Sequence, residues 1–479
     1  MRSSKLNNKR TLLCLLSVVF VAQINTAGCQ NIVATSYPTE MLIGKERLVT
    51  YHCKRLTDKE TPYTMCFENN DGTASLYIFA SPIAFYDTSG TLQAIDKTLV
   101  PVSGSAIKKM GYSLELRSCD IQSYFPTSLE KVPFLIQGIG KSLTFTPSQE
   151  LIERELRRST FVDLVGREHQ SVVYQQTGNI LIEYAPTASG ILANVILLEK
   201  PEYNQVAFYI DKLPETDFVV VDNQYILLKA TSDSSAQAII RTSFLQDSSG
   251  KISFDNIISM EPAGGQWKYV ITLDEGFLNN PDTTYPLIIS PTFELPRNNT
   301  PDSTVYSNKP EINAHLAGYG VLSNGAYIGI GLHYLQLRIN YIFKSYEQNV
   351  KNAEYVIPVL SLDSDATLVD MFRLGDFWNS TTITWNSKPA TYGKENAALI
   401  NGAGWYKFDI TSFVKLCIKD DRWNTETYGL AIAMANDSSG NKVIATNDNS
   451  LYQPFVMIDF YDLPWTLERI DEINPGLGY

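Results

Sequence analysis

Apolar and polar residues alternate in short runs along most of this chain. Thr381, Ile383 and Trp385 interleave with Thr382, Thr384 and Asn386, the period of two that places one set of side chains on a buried face and the other in water. The spacing predicts a strand over 381–386, ended before Pro389 because proline cannot donate to a sheet ladder. The alternation returns at 405–411, then changes to helical spacing over 412–419 through Phe413, Val414, Leu416 and Cys417. Thr411 suits the N-cap of that short helix, since its hydroxyl can accept a free backbone N–H. Further strands are expected at 428–435 and 453–461.

The first half has the same grain. Asn70, Asp71 and Gly72 form a turn signal between two strand-like runs, and 74–80 returns as a strand. The stretch 81–100 places two strands around a turn at 87–90. Strands are expected at 217–225, 236–243, 251–258 and 266–273, with turns at 247–250 and at Gly264 and Gly265. The charged run 149–167 fits a short helix, with Leu151, Leu156 and Phe161 on one side, or a solvated insertion; the helix is preferred. The polar, proline-flanked segment 294–301 is the expected linker.

Composition sharpens the class. The chain has 479 residues, 44% hydrophobic and 19% charged, with 27 Tyr, 21 Phe and 6 Trp. That length suits two or three domains, and aromatics in short alternating runs point to an all-β fold. Residues 1–10 are polar and basic and 11–22 form an apolar run, too short for a membrane span and suited to an export signal over 1–28. Cys29 follows the small residues Thr26, Ala27 and Gly28, so acylation of its thiol at a lipoprotein junction and ordinary cleavage near Ala27 are both open. The net charge is −12; without the leader's four basic residues, 35 basic residues face 51 acidic ones, a net of −16. Such a surface repels phosphate backbones, which argues against a nucleic-acid partner. Cys53 and Cys66 lie on adjacent strand-like runs, where a hairpin disulfide and two buried free thiols are equally open readings.

Four segments in order, TITWNSKPA, WYKFDITSFV, YGLAIAM and PFVMIDFYD, with LQLRINYIF and AEYVIPVLSL before them, resemble a DNRLRE domain, a β-sandwich module of bacterial surface and secreted proteins. The likeness covers 302–462 and departs between 310 and 334, where a longer tyrosine-rich connection replaces the usual short one. The run from Asp71 to Val100, with Ile95, Asp96 and Leu99 in an Ile-Asp-x-x-Leu pattern, and the block 171–197 are similar to bacterial wall-associated and YD-repeat (Rhs-like) proteins, as is YPLIISPTF at 285–293. That pattern usually has aspartate where Ser290 stands. The tail 463–479 resembles the passage that leads on to the repeats in longer relatives. Some DNRLRE relatives are classed with carbohydrate-binding modules, so the resemblance implies a glycan or cell-wall polysaccharide as the partner.

Candidate chemistry is sparse. His52, His169, His315 and His333 are scattered, and no nucleophile elbow, P-loop or dinucleotide fingerprint occurs. Asp363 and Asp365, or Asp420 and Asp421, are the carboxylate pairs that glycoside hydrolysis would draw on, the first pair also suiting a structural calcium, and each reads more simply as a turn or surface pair. Flat aromatic rings pack against sugar C–H faces. Trp385 and Trp405 sit in strong alternation and are expected in the core, whereas Trp378 and Trp423 lie in polar surroundings and are the candidate ligand contacts.

The expected molecule is all-β, with two β-rich domains: 34–293 of wall-associated type, a linker at 294–301, and an antiparallel sandwich with one short helix at 302–462. Its expected role is non-catalytic binding at the cell surface or outside the cell, with no cofactor, no metal and no membrane span once the leader is removed. The alternatives are the front portion of a YD-repeat toxin or shell protein, and a polysaccharide-degrading enzyme.

Overall fold

The computed structural model describes residues 52–462, except 149–155, 164–166, 175–178, 326–328, 336–346, 362–364, 420–428, 437 and 439. The leader, Cys29, Trp423, Asp363, Asp420, Asp421 and the tail therefore lie outside the described residues. The rest is all-β, as expected, with antiparallel strand pairs and a few short helices.

Two sheets build a first sandwich. One has eight strands, from Ile257–Ala263 at one edge to Asp96–Pro101 at the other. The facing sheet has eleven, with Gly190–Leu197, Thr292–Glu294 and Ala236–Arg241 side by side at its centre. Period-two alternation sends Ile182, Tyr184, Val195, Ile289 and Phe293 inward to meet Phe134, Phe145, Phe208 and Tyr269 from the other sheet. Phe145 and Phe293 stack across the gap with ring centroids 3.9 Å apart. Gly190 allows the tight centre of the eleven-stranded sheet, because a β-carbon there would stand 2.0 Å from the Phe293 carbonyl oxygen.

The second sandwich is a thirteen-stranded sheet folded over on itself. One layer carries Val350–Val359 between Gly404–Asp409 and Phe455–Phe460; the other carries Thr367–Leu374 between Thr391–Ile400 and Leu430–Met434. Tyr355, Ile357, Met371, Ile432 and Ile458 meet in the core. The helix Thr411–Lys419 closes it through Phe413, Val414 and Cys417.

Residues 295–301 join Thr292–Glu294 of the first sandwich to Asp302–Tyr306 of the second, but the strands before residue 80 do not belong to the first sandwich. Ala74–Phe79 pairs with Phe455–Phe460, so the early strands His52–Arg55, Thr64–Asn69 and Ala74–Phe79 extend the second sandwich instead of the first. Ser75 Oγ donates to Asp459 Oδ1 at 2.5 Å along this seam. Leu76 and Ile78 enter the second core while Tyr77 and Phe79 pack on the opposite face with Phe455 and Met457.

Local expectations also changed. The segment 381–386 is not a strand: 375–390 is an irregular loop with turns, whose Asn379, Ser387 and Thr384 side chains satisfy nearby backbone N–H groups. Within the stretch 149–167, where the sequence favours a helix, Arg157–Val162 is a strand paired with Glu168–Val173, while 149–155 and 164–166 lie outside the described residues. The helix starts at Thr411 itself, and the Asp409 carboxylate accepts the Thr411 N–H at 2.9 Å. Register sets His52 against Asn69 and Arg55 against Phe67, and Cys66 carries a free, buried thiol. The free Cys66 thiol departs from the hairpin-disulfide reading, and the Cys53 side chain lies outside the described residues.

Candidate functional site

The tryptophans are placed differently from expectation. Trp378 is only 3% exposed and packs with Val305, Tyr334, Leu374, Ile383 and Ala431. Alternation in the strands beneath it leaves Tyr334 and Ala431 on the outer face of the sandwich, and loop 375–390 covers that face with Trp378 and Ile383. A ligand cannot reach this ring, so Trp378 is a core residue. Trp385, expected in the core, is half-buried in the same loop, with Lys388 Nζ 3.9 Å from its ring centroid. Trp405 is half-buried beside Phe455.

The exposed aromatics are the neighbours of those positions. Phe377 is 59% exposed and Tyr392 62% exposed. The turn at Gly375 brings their segments together: Gly375 N–H donates to the Ala390 carbonyl at 3.2 Å, and a β-carbon on Gly375 would lie 3.5 Å from Tyr392 Cβ. Arg373 pairs in register with Tyr392, and its guanidinium carbon lies 5.9 Å from the Tyr392 ring centroid. Glu395, with a buried side chain, holds Arg373 in an ion pair and accepts from Ser412 Oγ. Beside them Lys394 meets Asp370 at 2.7 Å. Exposed rings flanked by a guanidinium that a buried carboxylate holds in place can pack against a sugar face and donate to its hydroxyls. The available signal for Phe377 was its place beside Trp378 in a polar stretch. Tyr392 had no signal, because its exposure follows from a position on an outer strand of the sheet path.

Acidic groups do converge elsewhere, at the seam between the sandwiches. Arg241 donates through Nη2 to Asp448 at 3.0 Å, through Nε to the Leu316 carbonyl at 2.7 Å, and through Nη1 to Glu294. Asp302 accepts the Asn447 N–H at 2.6 Å. Burial raises the carboxyl pKa values of both Asp302 and Asp448. The cavity beside Arg241, Glu294 and Asp448 holds only about 20 Å³, water-sized space that admits no substrate, so this cluster joins the sandwiches. Among the described residues no group of three or more His, Cys, Asp and Glu is arranged to hold a metal ion. Asp365 offers its backbone carbonyl to Lys442 Nζ at 2.8 Å. Burial raises the thiol pKa values of Cys66, Cys119 and Cys417. No helix among the described residues is long and apolar enough to cross a membrane.

Comparison with known proteins places a carbohydrate-binding signature on the second sandwich. Residues 339–459, which include Arg373, Phe377, Tyr392 and Glu395, match carbohydrate-binding module family 96. The chain is 21% identical over 439 residues to the tRNA3(Ser)-specific nuclease WapA of Bacillus spizizenii, covering 85% of this chain and 18% of that protein. It is 24% identical over 233 residues to the tRNA nuclease WapA of Bacillus subtilis, covering 45% of this chain and 10% of that protein. The chain thus spans less than a fifth of the length of these curated relatives. An exo-beta-1,3-galactanase structure from Phanerochaete chrysosporium, with galactose, aligns over 85% of this chain and 95% of that one at 10% identity with a TM-score of 0.12, too low to relate the folds. The part of the chain that carries the exposed Phe377 and Tyr392 is therefore the part that resembles a carbohydrate-binding module.

Proposed function

We propose that this chain is a non-catalytic glycan-binding protein, exported or attached at the bacterial surface, that holds a polysaccharide on the ribbon carrying Arg373, Phe377 and Tyr392. The match of 339–459 to a carbohydrate-binding family carries this reading. The rings supply apolar stacking area, and the Arg373 guanidinium, held in place by the buried Glu395, supplies a donor for hydroxyls. The DNRLRE assignment of 302–462 and the YD-repeat character of the region before it belong to the same reading, and the WapA relatives support its wall-associated part. The net charge of −12 opposes a polyanionic partner for this portion of the chain. Affinity electrophoresis over neutral and acidic polysaccharides tests the proposal. Retardation by at least one glycan supports it, and unchanged mobility over the whole panel removes it.

A second reading has the chain as the front portion of a much longer YD-repeat protein. The small share of the WapA relatives that it spans favours this. Sequencing the DNA on either side of the coding region separates the readings, since contiguous repeat-coding sequence supports the second. A reducing-sugar assay on any retained glycan tests the remaining alternative, a degrading enzyme: product release would replace the non-catalytic reading.

A further inference from the structure

The first sandwich turns one face of its eleven-stranded sheet toward the second sandwich, and the register shows which residues share it. Leu192 pairs with Thr292, Glu183 with Asn194, and Ile288 with both Ile196 and Gln246. Directly paired residues point to the same side of a sheet. The alternate positions, among them Val195, Leu197, Leu287 and Ile289, fill the first core. Tyr319, Leu360 and Tyr452 of the second sandwich close over this face without filling it. They leave a cavity of about 310 Å³, roughly ten water volumes and at the lower end of the range of ligand sites, about 300 to 1,000 Å³. Val162 and the 41%-exposed Ile288 line it at the solvent side.

Three buried side-chain atoms among its lining residues have no protein partner, Thr242 Oγ1 and the two that the register places on this face, Gln246 Nε2 and Thr292 Oγ1. Gln246 is 8% exposed and its Nε2 donates to no protein group; Thr292 is 6% exposed and its Oγ1 is likewise unpartnered. Leaving buried polar groups unmet costs free energy, and both stand among Leu192, Ile196, Phe244 and Tyr319. The neighbouring charges are engaged. Arg241 is held by Glu294 and Asp448, and Asp163 by Arg167 and His169 at 2.6 Å each. Glu183 accepts from Ser159. An anion would face Glu183 and a cation would face Arg241, so the lining favours an uncharged guest. Its apolar side chains ask for an apolar body, and Gln246 asks for an oxygen acceptor.

We propose that this cavity is a second binding site, separate from the Tyr392 surface, for a neutral amphipathic small molecule of the aryl glycoside class. The apolar group packs against Ile196, Ile288 and Tyr319, and the sugar oxygens bond Gln246 Nε2 and Thr292 Oγ1.

The test is isothermal titration of the full chain with 4-nitrophenyl β-D-glucoside and, separately, with glucose. Saturable binding of the aryl glycoside, with glucose at least about tenfold weaker, is expected. Ile288→Trp fills the solvent side from an exposed position and should lower affinity about tenfold or more. Gln246→Met removes a donor that no protein group uses, and should lower it about fivefold with an unchanged melting temperature. Tyr392→Ala, on the other surface, should leave this affinity within about twofold. No saturable binding, or binding that survives Ile288→Trp, overturns the proposal. Loss through Tyr392→Ala alone would assign the probe to the glycan surface and likewise overturns it, whereas the glycan reading stands or falls by electrophoresis.

Discussion

Arg241 and Asp448, which come from different sandwiches, share a hydrogen bond of 3.0 Å with both side chains buried. The contact fixes the seam on which the neighbouring cavity depends. Two acids and the Leu316 carbonyl surround the guanidinium, so its removal leaves buried acceptors without their donor. Arg241→Met should destabilise the chain by about 3 to 5 kcal/mol. Urea unfolding measures this, and a loss under about 1 kcal/mol would show that the seam is only incidental.

Trp378 should behave as packing. Trp378→Ala opens space beneath loop 375–390 and should cost about 3 to 5 kcal/mol. Thermal melting would show a large drop, and a variant with native stability but lost glycan retention would restore Trp378 as a ligand contact.

Tyr392→Ala and Phe377→Ala remove exposed rings and should leave stability within about 0.5 kcal/mol. Each should weaken retention by a binding glycan about five- to tenfold. Gel retardation with the variants checks this, and wild-type retention in the double variant moves the glycan surface elsewhere.

His315 contributes a pH dependence. Burial first, then Lys229 and Arg241, lower its pKa from 6.5 to about 4. The unfolded chain therefore binds more protons between these values, and stability present above pH 6.5 is lost as the pH falls toward 4, by on the order of 3 kcal/mol. His315→Gln should flatten that part of the stability curve. Parallel curves for the two proteins from pH 7 to 4 would contradict the assignment.

The early strands should matter to the distant sandwich. Leu76 is fully buried in the second core, and Leu76→Ala should cost about 2 to 5 kcal/mol. Residues 302–462 expressed alone would expose the edge that Ala74–Phe79 covers and should self-associate on a sizing column. A stable monomer of native melting temperature would show that the second sandwich does not need the early strands.

Alternation of apolar and polar residues by itself determined the all-β class, the strands around Phe455–Phe460, and the short helix over Thr411–Lys419, because side-chain periodicity is local. It failed at 381–386, where hydroxyl and amide side chains bond the backbone within the loop, and it could not tell Trp378 from Phe377, since neither follows a regular period. Which strands become neighbours is a tertiary matter. Only the fold seated Ala74–Phe79 on Phe455–Phe460, exposed Tyr392, buried Trp378 and brought Gln246, Thr292 and Tyr319 around one cavity. Burial and pairing between residues hundreds of positions apart depend on how whole sheets pack, which the spacing within a short window does not encode.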